Sequence, residues 1–234
     1  HYGDLPANLV IHNGVDRSVF TPAPRASVEF LASVLRRSAL SLASDGSTAP
    51  LPAADAERSV HRFLADPRPL LLWVGKLTYM KGWPEFQRLV AELAQDVRFL
   101  VVLGRSPVFY PADLAPDANV LVVRDIPQAD LPTVYRGADW LLSTSQAEGY
   151  GLAIAEAVCC GVPALVPADL EVVWEFLRPG ADAVGFRSGA DIRAVLGRPR
   201  PLPSAAHIGD WHVCADRTIG VFEGLAGVSV RADR

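Results

Sequence analysis

Leu70-Leu71-Leu72-Trp73-Val74, running into Gly75-Lys76-Leu77-Thr78-Tyr79-Met80-Lys81-Gly82, opens a strand–loop–helix–strand unit. The continuous apolar run suits a strand buried on both faces. Pro84–Gln95 carries apolar residues at helical spacing (Phe86, Leu89, Val90, Leu93), with Pro84 tolerated in the first turn. Val97–Leu103 is a second buried strand. Two such strands joined through a helix predict a parallel sheet in an α/β fold. The loop between strand and helix places Lys76 and Lys81 at the carboxyl end of a strand, where open α/β sheets bind ligands. Lysine is a point charge suited to phosphate, although most surface lysines simply stay in water.

Moving towards the C-terminus, Val120–Val123 reads as a third strand, Leu131–Arg136 as a short helix and Trp140–Ser143 as a fourth strand. That strand leads into Ser145-Gln146-Ala147-Glu148-Gly149-Tyr150-Gly151-Leu152-Ala153-Ile154-Ala155-Glu156. A helix starting near Gly151 would present unpaired N–H groups and the positive end of its dipole, an anion site that glycines let a phosphate approach closely. Glu156 would lie about 7–8 Å along that helix at ~1.5 Å per residue. There a carboxylate can accept two hydrogen bonds from a ribose diol. Glu148, before the helix, meets whatever hangs off the far side of the phosphates. The pattern suggests a nucleotide diphosphate between a ribose and a hydroxyl-rich group. Taken singly, a helical Glu is usually a solvated face and a Gly-x-Gly usually a turn.

Beyond this stretch, Cys160-Gly161-Val162-Pro163 stops the helix. Ala164–Val166 is a fifth strand, Glu171–Leu177 a short helix, Ala183–Phe186 an edge strand and Asp191–Leu196 a helix. Pro199–Pro203 is a spacer and Trp211–Leu225 a final helix. Gly104-Arg105-Ser106 is a glycine turn and residues 107–118 a proline-rich loop. On the N-terminal side, Leu9-Val10-Ile11 is a short strand before an Asn13-Gly14 turn. Val28–Leu42 has helical spacing, Ser44–Ala53 reads as a flexible loop, and Ala56–Leu64 as a second helix.

The 234 residues, half of them hydrophobic, allow one globular core and at most two small ones. A net charge of −4 gives no electrostatic case for a nucleic-acid partner. No apolar run approaches the ~18 residues of a membrane span, and no secretory signal stands out. Three cysteines, two adjacent, make neither a disulfide framework nor a metal-ligand spacing, which fits reduced, buried thiols in a cytoplasmic protein. The chain starts at His1 and its one methionine is Met80, so a fragment of a longer chain is expected.

Glu148 and Glu156 resemble the E-x7-E motif of retaining glycosyltransferases of GT-B fold, family 4 (group 1) type. The resemblance spans roughly residues 1–20 and 70–225. "VIHNGVDRSVFTP" is similar to the segment that begins the family's C-terminal domain, and "GKLTYMKG" to its cationic loop. Lys81 matches that loop directly, while Lys76 replaces the usual Arg, keeping the charge but not the bidentate contact. "VYRGADWLLSTS" and "EGYGLAIAEAVCCGVPALVP" follow the family's later motifs.

The resemblance implies a doubly wound parallel sheet (Rossmann-like), the C-terminal half of a GT-B fold. Residues 1–22 would be linker and first strand, 23–69 an atypical helical and flexible insertion, 70–227 the nucleotide-sugar-binding domain and 228–234 a tail. It implies retaining, metal-independent hexosyl transfer with no cofactor beyond a nucleotide-diphospho-sugar donor. Gly75, Lys76, Lys81 and the N–H groups around Tyr150, Gly151 and Leu152 would hold the diphosphate, and Glu156 the ribose. The turn at Arg124-Asp125-Ile126 would contact the base through its backbone. Glu148, Lys76 and Lys81 would carry the catalytic contacts, Glu148 by orienting the sugar. The acceptor would sit on the protein's own N-terminal domain or a partner chain, through which any peripheral membrane contact would also pass, and the isolated chain would transfer little. The alternatives are a non-catalytic nucleotide-binding module or half of a split enzyme, and a GT-B-fold epimerase or phosphorylase.

Overall fold

A computed structural model describes residues 11, 13–43, 47–104 and 119–226. The expected strand at Leu9-Val10-Ile11, His12, the Arg105-Ser106 turn, the 107–118 loop and the 228–234 tail lie wholly or mostly outside the described residues. The chain runs α1 (Val28–Ser38), β1 (Ala39–Leu42), β2 (Thr48–Pro50), α2 (Ala53–Ala65), β3 (Leu70–Gly75), α3 (Trp83–Glu92), β4 (Arg98–Leu103) and β5 (Val120–Arg124). It continues through α4 (Leu131–Gly137), β6 (Trp140–Leu142), α5 (Leu152–Cys159), β7 (Ala164–Pro167), β8 (Ala183–Phe186), α6 (Gly189–Leu196) and α7 (Trp211–Ala226), with 3-10 turns at Glu171–Glu175 and Ala205–His207.

Among the described residues, the strands form one sheet in the order β2-β1-β5-β4-β3-β6-β7-β8. From β5 to β8 every pairing is parallel. The strand order reverses between β3 and β6, which is the topological switch point of a doubly wound sheet and the usual place for its ligand.

Successive residues of the central strands point to opposite faces, and each face has its own core. Leu70, Leu72, Leu100 and Val102 pack with residues of α1, α2, α4 and α5. Leu71, Trp73, Phe99 and Val101 pack with residues of α3 and α6. On the second face the Trp83 and Phe86 rings stack at 5.1 Å, with Trp73 5.3 Å from Phe86 and Phe99 5.6 Å from it. The thiols of Cys159 and Cys160 are buried, and burial pushes them up to about 11 and about 12.

Two N-terminal expectations are corrected. The helix expected over Val28–Leu42 ends at Ser38, and Ala39–Leu42 becomes a strand antiparallel to β5. The helical spacing of its apolar residues persists through Ala39 and Leu42, but the open edge of β5 offers a hydrogen-bonding ladder that local periodicity does not register. Within the segment read as a loop, Thr48–Pro50 forms β2, registered through Leu40↔Pro50, Ser41↔Ala49 and Leu42↔Thr48. The segment before the parallel sheet thus extends it by a hairpin. No helix among the described residues is long and apolar enough to cross a membrane.

Candidate functional site

The loop after β3 and the loop after β6 meet at the switch point and are laced together. Thr144 Oγ1 donates to the Lys81 carbonyl at 3.0 Å and accepts from Trp73 Nε1 at 3.0 Å. The Gln146 N–H reaches the Met80 carbonyl at 3.0 Å. Gly82, with φ of +65°, precedes α3 so tightly that a Cβ there would lie 1.7 Å from the Thr144 carbonyl oxygen. Only glycine fits that position.

This lacing brings Lys81 to Glu148. Lys81 Nζ lies 2.6 Å from Glu148 Oε1, and the Ser145 hydroxyl donates to the same oxygen at 2.7 Å. The Glu148 side chain is mostly covered, with 13% of it exposed. The ion pair spans 67 residues of chain, from one strand end to the next.

An open cleft of about 690 Å³ lies at the carboxyl ends of β3, β4 and β5, a size typical of small-molecule sites. Gly75, Lys76 and Lys81 line it from β3 and its loop, Asp125 and Ile126 from the turn after β5, and Ala153 from α5. Lys76 is exposed. A Cβ on Gly104, at the end of β4, would stand 3.3 Å from Lys76 Cγ.

The helix α5 begins after Gly151, whose φ is +91°. No side chain caps it, so its first N–H groups are available to an anion. Tyr150 turns its ring inward, stacked on Phe176 at 4.3 Å, and burial lifts its phenol to about 12. Leu152 is exposed at the helix start. One turn further on, Glu156 Oε2 accepts a 2.7 Å hydrogen bond from the Tyr135 hydroxyl. Burial raises the Glu156 pKa above the ordinary carboxylate range, against the lowering effect of that hydrogen bond. Tyr135 itself is fully buried and held protonated.

The structure therefore gathers Gly75, Lys76, Lys81 and Ile126 on one cleft, with Glu148 attached through Lys81. Arg124 points elsewhere: its Nη1 donates to Thr48 Oγ1 on β2 at 2.6 Å. Sequence reasoning missed Ser145, Thr144 and Tyr135, which hold the others in place. Thr144 and Ser145 lie inside the motif that carries Glu148, but nothing local signals Tyr135. Among the described residues no group of three or more His, Cys, Asp or Glu stands close enough to hold a metal ion.

The family profile described as "Glycosyl transferases group 1" matches residues 56–195. D-inositol 3-phosphate glycosyltransferase of Mycobacterium sp. (strain KMS) is 31% identical over 178 residues, covering 72% of this chain and 33% of that protein. Its counterpart in Mycolicibacterium smegmatis is 29% identical over 220 residues, 90% of this chain and 39% of that protein. The chain thus spans between 33% and 39% of the length of these curated relatives. Among solved structures, sucrose-phosphate synthase from Thermosynechococcus elongatus superposes with a TM-score of 0.62 at 20% identity, over 94% of this chain and 53% of that one. Anabaena HepE, solved in complex with UDP and glucose, gives 0.59 at 16% identity, over 94% and 57%. Both likenesses concern the fold.

Proposed function

Since the chain belongs to the group 1 glycosyl transferases, we propose that its cleft binds a nucleotide-diphospho-sugar and serves as the donor side of a retaining sugar transfer. The observation that carries this is the convergence of two lysines and the start of α5 on one cleft at the switch point. Lys76, Lys81 and the first N–H groups of α5 would take the diphosphate. Lys81, held by Glu148, and the backbone N–H groups are in place before the nucleotide-sugar arrives, so they would stabilise the charge that develops on the leaving group with little reorganisation. The Glu148 carboxylate, already set by Lys81 and Ser145, would orient the sugar hydroxyls. Glu156, set by Tyr135, would take the ribose.

In the reaction the bond between the anomeric carbon and the diphosphate oxygen breaks, and its electron pair leaves with the diphosphate. An acceptor oxygen forms the new bond on the same face and gives its proton to a phosphate oxygen. Glu148 is not the nucleophile in this reading. Its ion pair with Lys81 makes it a partner of the phosphate site. The acceptor would be held by an N-terminal domain or a partner chain.

Calorimetry of the chain with UDP, GDP and ADP tests the reading. Binding of one of them, weakened about tenfold or more by Lys81→Ala or by Glu156→Ala, supports it. A folded chain that binds none of the three contradicts it. Little sugar transfer by the isolated chain is expected, and robust transfer would refute the need for a second domain.

A further inference from the structure

The hairpin β1–β2 does not line the cleft, but one of its side chains holds the residue next to the cleft wall. β5 pairs with β4 as far as Leu103↔Arg124, whereas its pairing with β1 covers only Ala39↔Val123 and Leu40↔Val122. At Arg124 the backbone ladder to the hairpin has ended and the side chain crosses instead, Nη1 donating to Thr48 Oγ1 at 2.6 Å. The same guanidinium stands beside Asp125, Nε to Oδ2 3.7 Å. Asp125 has φ of +58° and is the one non-glycine residue with positive φ among the described residues. Aspartate is among the few residue types that visit the left-handed region, and a residue there persists where its surroundings hold it. Asp125 and Ile126 form the cleft wall beyond β4. At ~4.8 Å per strand, that wall lies about 10 Å from the β3 loop that carries the lysines.

We propose that Thr48 is a positioning residue for the base end of the donor cleft, acting through Arg124 on the Asp125–Ile126 turn. The inference rests on the donor-cleft reading. With the diphosphate at the lysines and the ribose at Glu156, the base is the part of a nucleotide left to face this turn. Thr48 touches no part of the ligand. It fixes Arg124, and Arg124 steadies the strained turn against which the base is placed. The hairpin is then part of the specificity apparatus.

The test compares Thr48→Val, which keeps the shape and removes the acceptor oxygen, with Thr48→Ser, which keeps the oxygen. Affinity is measured for whichever of UDP, GDP and ADP binds tightest, and for inorganic pyrophosphate by displacement of that nucleotide. Thr48→Val is expected to weaken the nucleotide about fivefold and to leave pyrophosphate within about twofold, with Thr48→Ser restoring the nucleotide. Arg124→Gln, which cuts the same hydrogen bond from the cleft side, should give the same selective loss, and the double variant should add nothing to it. If Thr48→Val does not fold, Arg124→Gln against pyrophosphate carries the test. Unchanged nucleotide affinity, or equal loss of pyrophosphate, overturns the proposal while leaving the donor cleft standing. If the unaltered chain binds none of the three nucleotides, the donor-cleft reading falls and takes this one with it.

Discussion

Glu156 is partly buried, at a cost to stability. Burial raises its pKa, and the Tyr135 hydrogen bond only partly offsets this. A carboxyl whose folded pKa is raised favours folding most when protonated, so its contribution is fully present below the ordinary carboxylate range and is lost as pH rises through the folded pKa. Glu156→Gln keeps an acceptor for Tyr135 and removes the partly buried charge. It should raise the melting temperature at pH 7 by about 2 °C and lower nucleotide affinity about tenfold or more, with the melting advantage shrinking towards pH 4. Unchanged melting at pH 7 would count against a desolvated charge here. Gly82 is the opposite case, a residue kept for its lack of a side chain. Gly82→Ala must push a methyl into the Thr144 carbonyl at positive φ, and a loss of at least about 3 kcal/mol is expected from the urea midpoint. At this scale the sequence was partly legible. The sequence places Glu148 and the lysines beside glycines after strand ends, and Glu156 within the helix that follows. The Lys81–Glu148 pairing could not be read, because it depends on two loops crossing. Tyr135 looked like any apolar position of a short helix.

The elements that sequence reasoning recovered are those whose local pattern and tertiary setting agree. β3, β4 and α5 are strongly apolar and sit at the centre of the sheet, so burial reinforces propensity. The helical spacing of Val28, Leu31, Val34 and Leu35 predicts a helix that runs on through β1, and only the distant edge of β5 decides otherwise. Arg98 was hidden for a related reason. It lies 8% exposed in β4, donating to the carbonyls of Phe63 and Arg68 at the end of α2 and beyond, a contact that no local pattern signals. A second buried charge joins the start of β8 to the turn at Ala205–His207. Asp182, with no side-chain exposure, accepts from the Arg178 guanidinium and N–H and from the Ser204 N–H, and lies 3.1 Å from His207 Nε2. Burial pushes its pKa up, but the Arg178 and Ser204 hydrogen bonds and the nearby His207 outweigh it and hold it below the usual carboxylate range. A lowered folded pKa contributes stability above the unfolded pKa that is lost as pH falls through the folded one. Asp182→Asn is therefore expected to cost about 2 kcal/mol at pH 7 and to flatten the acid limb of the stability curve below pH 4. An unaltered acid limb in chemical denaturation would show that the clamp contributes nothing.

Across the whole molecule, the doubly wound sheet and the place of its ligand cleft were legible, because βαβ repeats leave few arrangements and the switch point follows from them. The turn after β5 was singled out too, but the hairpin that Arg124 reaches was not, since its second strand, Thr48–Pro50, looks like a turn. The same hairpin carries a consequence in time. β1 joins β5 between residues 40 and 122, so the segment that is synthesised early pairs with one that is synthesised much later. Contacts between residues so far apart in sequence form slowly, and an unpaired strand edge is a hazard while it waits. Refolding followed by pulsed hydrogen exchange should show β1 amides gaining protection together with β5 or after it, with the β3–β4 pair ahead of both. Protection of β1 before β5 would mean that the hairpin folds by itself. In the order expected here, the wall formed by Asp125 and Ile126 is the last part of the cleft to be built, and an interrupted chain would hold the lysine end of the cleft without the wall that faces it.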